Sequence, residues 1–185
     1  LGINDKPFNE GSSYKPRSPY SASKASSDHM VRAWFETYKL PVIVSNCSNN
    51  YGPFQYPEKL IPLTIINILL GRNIPIYGTG NNIRDWLHVQ DHCKALEMIL
   101  KSNFLGETFC IGGSNEKSNA SLINMICNLI EETQHISNNI NIKSLIKYVP
   151  DRAGHDFRYS IDSSKIRNKL GWSSEISLEK GIKNT

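Results

Sequence analysis

Short β-branched or apolar runs alternate with longer helix-like segments along this 185-residue chain, and several of the runs end in a polar cluster. A strand with parallel neighbours and helices on both faces reads as such a run, without in-out alternation. Val42-Ile43-Val44 has that character and leads into a polar loop at 45–53. Ile74 to Tyr77, Asp85 to Val89, Glu107 to Ile111 and Leu145 to Val149 read as further strands. Between them the pattern predicts helices at 19–39, 58–70, 90–102, 120–133 and 162–169, and another from 177 onwards. The alternation implies a layered α/β protein with a mainly parallel sheet. In such sheets ligand-binding groups gather at the carboxyl ends of strands. The polar stretches 45–53, 112–119 and 150–159 fall there.

Local signals mark several element ends. Ser18-Pro19 opens the first helix, since serine caps and proline suits the first helical position. Val31, Trp34, Phe35 and Tyr38 form its apolar stripe, and Leu40-Pro41 stops it. Gly71 is placed as a left-handed cap of the second helix. Residues 1–17 and 134–144 read as loops, and Trp34 and Trp172 as packing residues.

With 39% hydrophobic residues the chain has enough apolar material for a core. No run approaches the ~18 apolar residues of a membrane span, and no basic segment precedes an apolar one at the start. A net charge of +4 without a basic run gives no reason to expect nucleic acid or a membrane surface as partner. Cys47, Cys93, Cys110 and Cys127 form no C-x-x-C and lie in apolar stretches, so all four are expected to be buried free thiols in a reducing cytoplasm. His88 and His92 are four apart, yet no third ligand is placed beside them; they are read as packing residues and no metal is expected.

The most chemical feature is Tyr20-Ser21-Ala22-Ser23-Lys24 at the start of the first helix. Residues four apart lie on one helix face, about one turn apart. An ammonium and a helix N-terminus beside a phenol both favour its charged form, so such a tyrosine can take a hydroxyl proton while hydride leaves the same carbon. The small residues between allow a cofactor or a partner helix to approach. A bare Y-x-x-x-K is common; here a capped helix start and a following parallel-type strand with a polar end surround it.

With that context, and with the segments Ser18 to His29, Asn46 to Pro53, Pro57 to Pro62, Pro75 to Gly78, Arg84 to Leu87, Ile111 to Gly113 and Asp151 to Asp156, the chain resembles the extended short-chain dehydrogenase/reductase superfamily, and within it the dTDP-glucose 4,6-dehydratase family. The resemblance implies a partial Rossmann-type doubly wound parallel sheet plus a smaller α/β substrate-binding domain. Residues 1–50 and 86–111 would belong to the NAD-binding domain, and 51–85 and 112–185 to the sugar-nucleotide domain. It implies NAD as cofactor, dTDP-glucose as substrate, a cytoplasmic homodimer formed through the Tyr20 helix, and a product that precedes rhamnose.

By the same resemblance Tyr20 is the base at the sugar 4-hydroxyl, and Lys24 holds the nicotinamide ribose. Ser21, Ala22, Ser23 and Asn50 line the cofactor. Asn49 and Asn119 contact the sugar nucleotide. Lys59, Leu60, Ile61 and Pro62 touch the nucleotide, while Pro75, Ile76 and Tyr77 run along the thymine and deoxyribose. Arg84 and Arg152 take the diphosphate, for which guanidinium offers planar paired bonds that lysine cannot copy. Asp151, Arg152, Ala153, Gly154, His155 and Tyr159 form the last binding loop, with Ala153 where the family usually has proline.

The resemblance also implies parts not found here. No glycine-rich dinucleotide turn precedes Tyr20, and Gly78-Thr79-Gly80 is followed by Asn81 and Asn82 on the substrate side. The family's Asp-Glu pair for dehydration would fall before Leu1. The expectation is therefore a C-terminal half, with little NAD binding or turnover by itself and an exposed apolar sheet edge. Two alternatives stay open: a UDP-sugar 4-epimerase or decarboxylase of the same superfamily, or a non-catalytic truncated nucleotide-sugar-binding remnant.

Overall fold

The computed structural model describes residues 1–133 and 141–185. Helix α1 (Pro19–Tyr38) starts where the caps place it: the Ser18 hydroxyl accepts the Ser21 N–H at 3.1 Å, and Pro19 occupies a position that needs no N–H partner. It ends on Lys39, whose φ of +55° turns the chain left-handed while its N–H still bonds to the Phe35 carbonyl. The apolar stripe divides: Val31 and Phe35 are half-buried, while Trp34 and Tyr38 are 50% and 68% exposed. Ala25 is the only buried residue of the helix, and the two rings pack on each other at 4.8 Å on its outer face.

The first strand lies further along than the β-branched run. Strand β1 (Val44–Cys47) pairs in parallel with β5 (Thr108–Ile111), from Val44 opposite Thr108 to Cys47 opposite Ile111. Backbone pairing with a distant partner carries Ser45 and Asn46 into the strand against their own preference. The same correction applies next. Asn49–Tyr51, expected to be loop, is strand β2, set in parallel beside the end of β4 (Ile83–His88). Between β1 and β2 the chain passes from one sheet to another at Ser48.

Helix α2 (Leu60–Leu69) closes as expected with Gly71 at φ +62°. The Arg72 N–H bonds to the Asn67 carbonyl at 2.8 Å and the Gly71 N–H to Ile68 at 3.1 Å, the two bonds of a Schellman cap. Strand β3 (Ile74–Tyr77) follows, and α3 (Val89–Leu100) leads from β4 to β5. Strand β6 (Glu116–Ser118), hidden in an expected loop, runs antiparallel to β4 and turns into α4 (Asn119–Glu132). Of the expected loop 134–144, residues 134–140 lie outside the described residues, and Ile142–Leu145 is a 3₁₀ turn. Strand β7 (Ile146–Val149) pairs in parallel with β3, and β8 (Arg158–Tyr159) with β4, a third strand inside an expected loop. Helices α5 (Ser164–Leu170) and α6 (Leu178–Lys183) complete the α/β architecture, in which, among the described residues, four of the five strand pairings are parallel.

The apolar residues collect in two clusters. One holds Leu87, Ala95, Ile99, Phe109, Ile111, Ile166 and Trp172; the other gathers Tyr51, Ile61, Ile68, Ile74, Ile76, Trp86 and the inner face of α4 with Leu178 and Ile182. Adjacent residues of β4 face opposite ways, so Trp86 enters one cluster and Leu87 the other. Asp85, fully buried, ties the strand to the turn after β5 by accepting the N–H groups of Gly113 at 2.9 Å and Asn115 at 2.7 Å. That turn needs glycine, because a Cβ on Gly113 would stand 1.9 Å from the Trp86 carbonyl oxygen.

Among the described residues β1 pairs on one side alone. Two grooves flank it, a mixed one lined by Arg32, Phe35, Glu36, Val42, Val44 and Thr108, and a mainly apolar one lined by Ile43, Leu96, Leu100 and Leu105. The thiols divide as well. Cys110 and Cys127 are buried, Cys47 is half-buried, and Cys93 is exposed on the outer face of α3, contrary to the expectation of four buried thiols.

Candidate functional site

The first turns of α1 present Tyr20, Ala22, Ser23 and Lys24 to solvent, with Tyr20 74% exposed. Ser21 is half-buried beside the cap, its hydroxyl 2.9 Å from that of Ser18, and the Ser23 hydroxyl donates back to the Tyr20 carbonyl at 2.8 Å. Both serine side chains are thus engaged at the start of their own helix. The helix stands over the carboxyl end of β1. Burial raises the Cys47 thiol above its ordinary range, while the nearby Lys24 ammonium pulls the other way.

Asn50 occupies the same end of the sheet. Its Nδ2 donates to the Cys47 sulfur and to the Ser48 carbonyl, each at 3.2 Å, and its Oδ1 lies 2.9 Å from His92 Nδ1. Gln55 Nε2 donates to the Asn50 carbonyl at 2.7 Å. Burial holds His92 below the usual imidazole range. Three buried polar atoms in this neighbourhood, Ser48 Oγ, Gln55 Oε1 and His92 Nε2, have no protein partner. Asn49 is exposed beside them.

A second group forms at the opposite end of β4. Arg84 donates to the Ile83 carbonyl at 2.7 Å and to the Asp156 carbonyl at 2.8 Å. Burial lowers the Arg84 guanidinium, and the charge of Arg152 lies near enough to add to that. The Arg152 guanidinium stands 5.4 Å from the centre of the Tyr77 ring and 3.0 Å from His155 Nε2. His155 Nδ1 in turn is 2.6 Å from Asp151, whose carboxyl the histidine and the Arg152 N–H hold below its usual range. Arg84 and Arg152 thus stand near one another, with the Asp156 charge opposing the effect of burial on Arg84 and an Asp151–His155 pair beside Arg152.

The other expected site residues distribute unevenly. Lys59 is exposed and paired with Glu58 at 3.0 Å. Leu60 and Pro75 are half-buried, but Ile61, Pro62 and Ile76 are buried in the core. Asn119 opens α4, its N–H bonded to the Asn82 carbonyl at 3.0 Å. Ala153 and Gly154 form the exposed tip of the last loop. Tyr159 joins the two groups: it pairs in register with Arg84, lies within electrostatic reach of both Cys47 and Asp156, and its phenol is pushed up to about 12, chiefly by burial.

Sequence reasoning missed the contacts that hold these groups in place. Arg158 donates to Glu116 at 2.6 and 2.7 Å, bridging β8 and β6 across β4, and to the Asp5 carbonyl at 2.7 Å. Asp28 accepts from Tyr14 at 2.7 Å and from Asn46 at 2.9 Å, which ties α1 to β1. No local pattern marks these pairs. His88 and His92 do not act together: His88 is buried against Tyr51, while His92 bonds to Asn50. Among the described residues no three His, Cys, Asp or Glu side chains form a metal-binding group, and no helix is long and apolar enough to cross a membrane.

Comparison with known proteins gives a consistent result. The model of the GDP-mannose 4,6 dehydratase family matches residues 2–185. A dTDP-glucose 4,6-dehydratase of Escherichia coli is 53% identical over 180 residues, which cover 96% of this chain and 50% of the relative. The crystal structure of dTDP-glucose 4,6-dehydratase from Bacillus anthracis in complex with NAD is similar with a TM-score of 0.89 at 46% identity, over 100% of this chain and 56% of that one. The enzyme of that name from Streptomyces venezuelae, with NAD and TYD bound, gives a TM-score of 0.89 at 40% identity, over 97% of this chain and 53% of the other. The chain spans about half the length of the curated relatives it matches.

Proposed function

The chain belongs to the GDP-mannose 4,6 dehydratase family, and from that premise we propose that, joined to the half of its relatives that it does not cover, it forms an NAD-dependent dTDP-glucose 4,6-dehydratase. That joined protein is called the full-length form below. The observation that carries the proposal is the exposed Tyr20, one turn from Lys24, on the helix face near Cys47 at the end of β1.

The residues on that face fit NAD. Ala22 and Ser23 are small and exposed, so a cofactor can approach the helix closely. Bound NAD would accept a hydride from sugar C4 and return it to C6. Tyr20 takes the proton of the 4-hydroxyl, and the Lys24 ammonium stabilises the charge that develops on the phenol oxygen while holding the nicotinamide ribose. Ser21, Ala22, Ser23 and Asn50 complete the cofactor side.

Arg84 and Arg152 hold the diphosphate; a dianion between them relieves their mutual repulsion. The Asp151–His155 pair keeps the Arg152 fork aimed, and Tyr159 closes that loop over the site. Tyr77, Pro75 and the backbone of Ile76 run along the base and deoxyribose. Lys59, with the backbone of Leu60, Ile61 and Pro62, meets the nucleotide at the start of α2. Asn49 and Asn119 bind the sugar nucleotide through uncharged amides. The acid and base for removing water would come from the uncovered half.

The proposal keeps a division into an NAD-binding part, residues 1–50 and 86–111, and a sugar-nucleotide part, 51–85 and 112–185, although the apolar clusters cross it: Ile166 and Trp172 pack with Leu87 and Phe109, and Trp86 with the other cluster. The exposed stripe Met30, Trp34 and Tyr38 supports a homodimer formed through α1. The setting proposed is the cytoplasm, where the 4-dehydro-6-deoxy product feeds rhamnose formation. Tyr20→Phe in the full-length form tests the reading: turnover should fall about 10²–10⁴-fold with dTDP-glucose affinity kept, and near-normal turnover would remove Tyr20 from its role.

A further inference from the structure

Asn50 is gripped at both its backbone and its side chain. Gln55 holds the carbonyl at 2.7 Å, and His92 Nδ1 meets Oδ1 at 2.9 Å. The Nδ2 end lies 3.2 Å from the Ser48 carbonyl and 3.2 Å from the Cys47 sulfur. A carbonyl oxygen can only accept, so the NH₂ end of the carboxamide must face Ser48 and the oxygen must face His92. That orientation in turn requires the proton of a neutral His92 to sit on Nδ1. Nε2 is then a lone pair buried without a protein partner. Leaving one imidazole nitrogen unsatisfied is unfavourable for folding. The bond that spans from α3 to β2 is therefore the useful end of this side chain, and it acts on a residue directly beside the Lys24 neighbour Cys47.

We propose that His92 is a positioning residue for the cofactor site: it locks the Asn50 carboxamide against Cys47 and Ser48, so that NAD meets one fixed polar edge. A single fixed rotamer removes the cost of ordering that edge on binding. This inference rests on the reading of Asn50 as a cofactor contact.

The test measures NAD affinity by calorimetry on the NAD-free full-length form, with thermal melting to confirm that each variant is folded. Four variants are compared: Asn50→Ala, His92→Leu, His92→Asn and the double Asn50→Ala/His92→Leu. His92→Asn keeps an N–H donor near the place of Nδ1. Asn50→Ala and His92→Leu should each weaken NAD about tenfold, the scale of one lost hydrogen bond. The double variant should bind no worse than Asn50→Ala alone, and His92→Asn should regain most of the loss. If the two effects multiply in the double variant, His92 supports the fold by another route and the inference is wrong. It is equally wrong if Asn50→Ala weakens NAD and His92→Leu leaves the affinity unchanged. If Asn50→Ala itself has no effect, the cofactor reading of Asn50 falls and takes this inference with it.

Discussion

Replacing Glu116 by alanine strips the carboxylate from a guanidinium that folding has taken almost wholly out of water. Arg158 is 9% exposed, and Glu116 accepts two of its bonds, at 2.6 and 2.7 Å, as well as the Ser160 hydroxyl at 2.7 Å. A buried charge left without its partner costs ~3–5 kcal/mol. The Glu116 side chain is 34% exposed, so water reaches the gap and the lower end of that range applies, about 3 kcal/mol. For a chain of this length each kcal/mol moves Tm by ~2–4 °C, so Glu116→Ala should melt about 6–12 °C lower by circular dichroism. The pH dependence gives a second reading. The Arg158 hydrogen bond, first among several causes, holds the Glu116 carboxyl below its ordinary range. A carboxylate so held contributes stability that is fully present above its unfolded pKa of about 4.3 and is lost as pH falls through the lower folded value. The gap between the natural chain and the variant should be full near neutral pH and shrink below about pH 4. A Tm difference under about 2 °C, or one that does not change between neutral and acid pH, would refute the reasoning.

Other perturbations probe the rest of the frame. Asp85→Asn turns an amide N–H₂ toward one of two N–H groups the carboxylate now accepts, and should cost about 2–3 kcal/mol in urea unfolding with little change in shape by circular dichroism. Arg84→Lys or Arg152→Lys in the full-length form keeps the charge but loses the planar fork; dTDP-glucose should bind about tenfold more weakly with kcat changed far less, as read by initial rates.

The parts of the fold that were legible in the sequence are those governed by neighbours along the chain. Ser18-Pro19 and Gly71 mark helix ends through bonds within a few residues, and the structure makes those bonds. Strands β2, β6 and β8 were not legible, because each is short and owes its existence to β4, whose register supplies the pairing. Asn49 and Asn50 have poor strand preference and gain it only from Trp86 and Leu87 opposite. Trp34 and Cys93 were misplaced for a related reason: an apolar residue on a helix says nothing about which face the rest of the molecule covers. The Tyr20–Lys24 pair was visible through its spacing, while the nearness of Arg84 to Arg152, far apart in sequence, came only from the family resemblance. The sequence reads His92 as packing, since its partner Asn50 lies 42 positions away and no local pattern joins them.

The central claim is that hydride moves from C4 to C6 of one sugar on a site built around Tyr20. The most direct measurement gives the full-length form dTDP-glucose carrying deuterium at C4 and locates the label in the product by NMR and mass spectrometry. The account predicts loss of one water and deuterium on C6 of a 4-dehydro-6-deoxy sugar. Deuterium retained at C4 of an epimerised sugar, with no water lost, would contradict it.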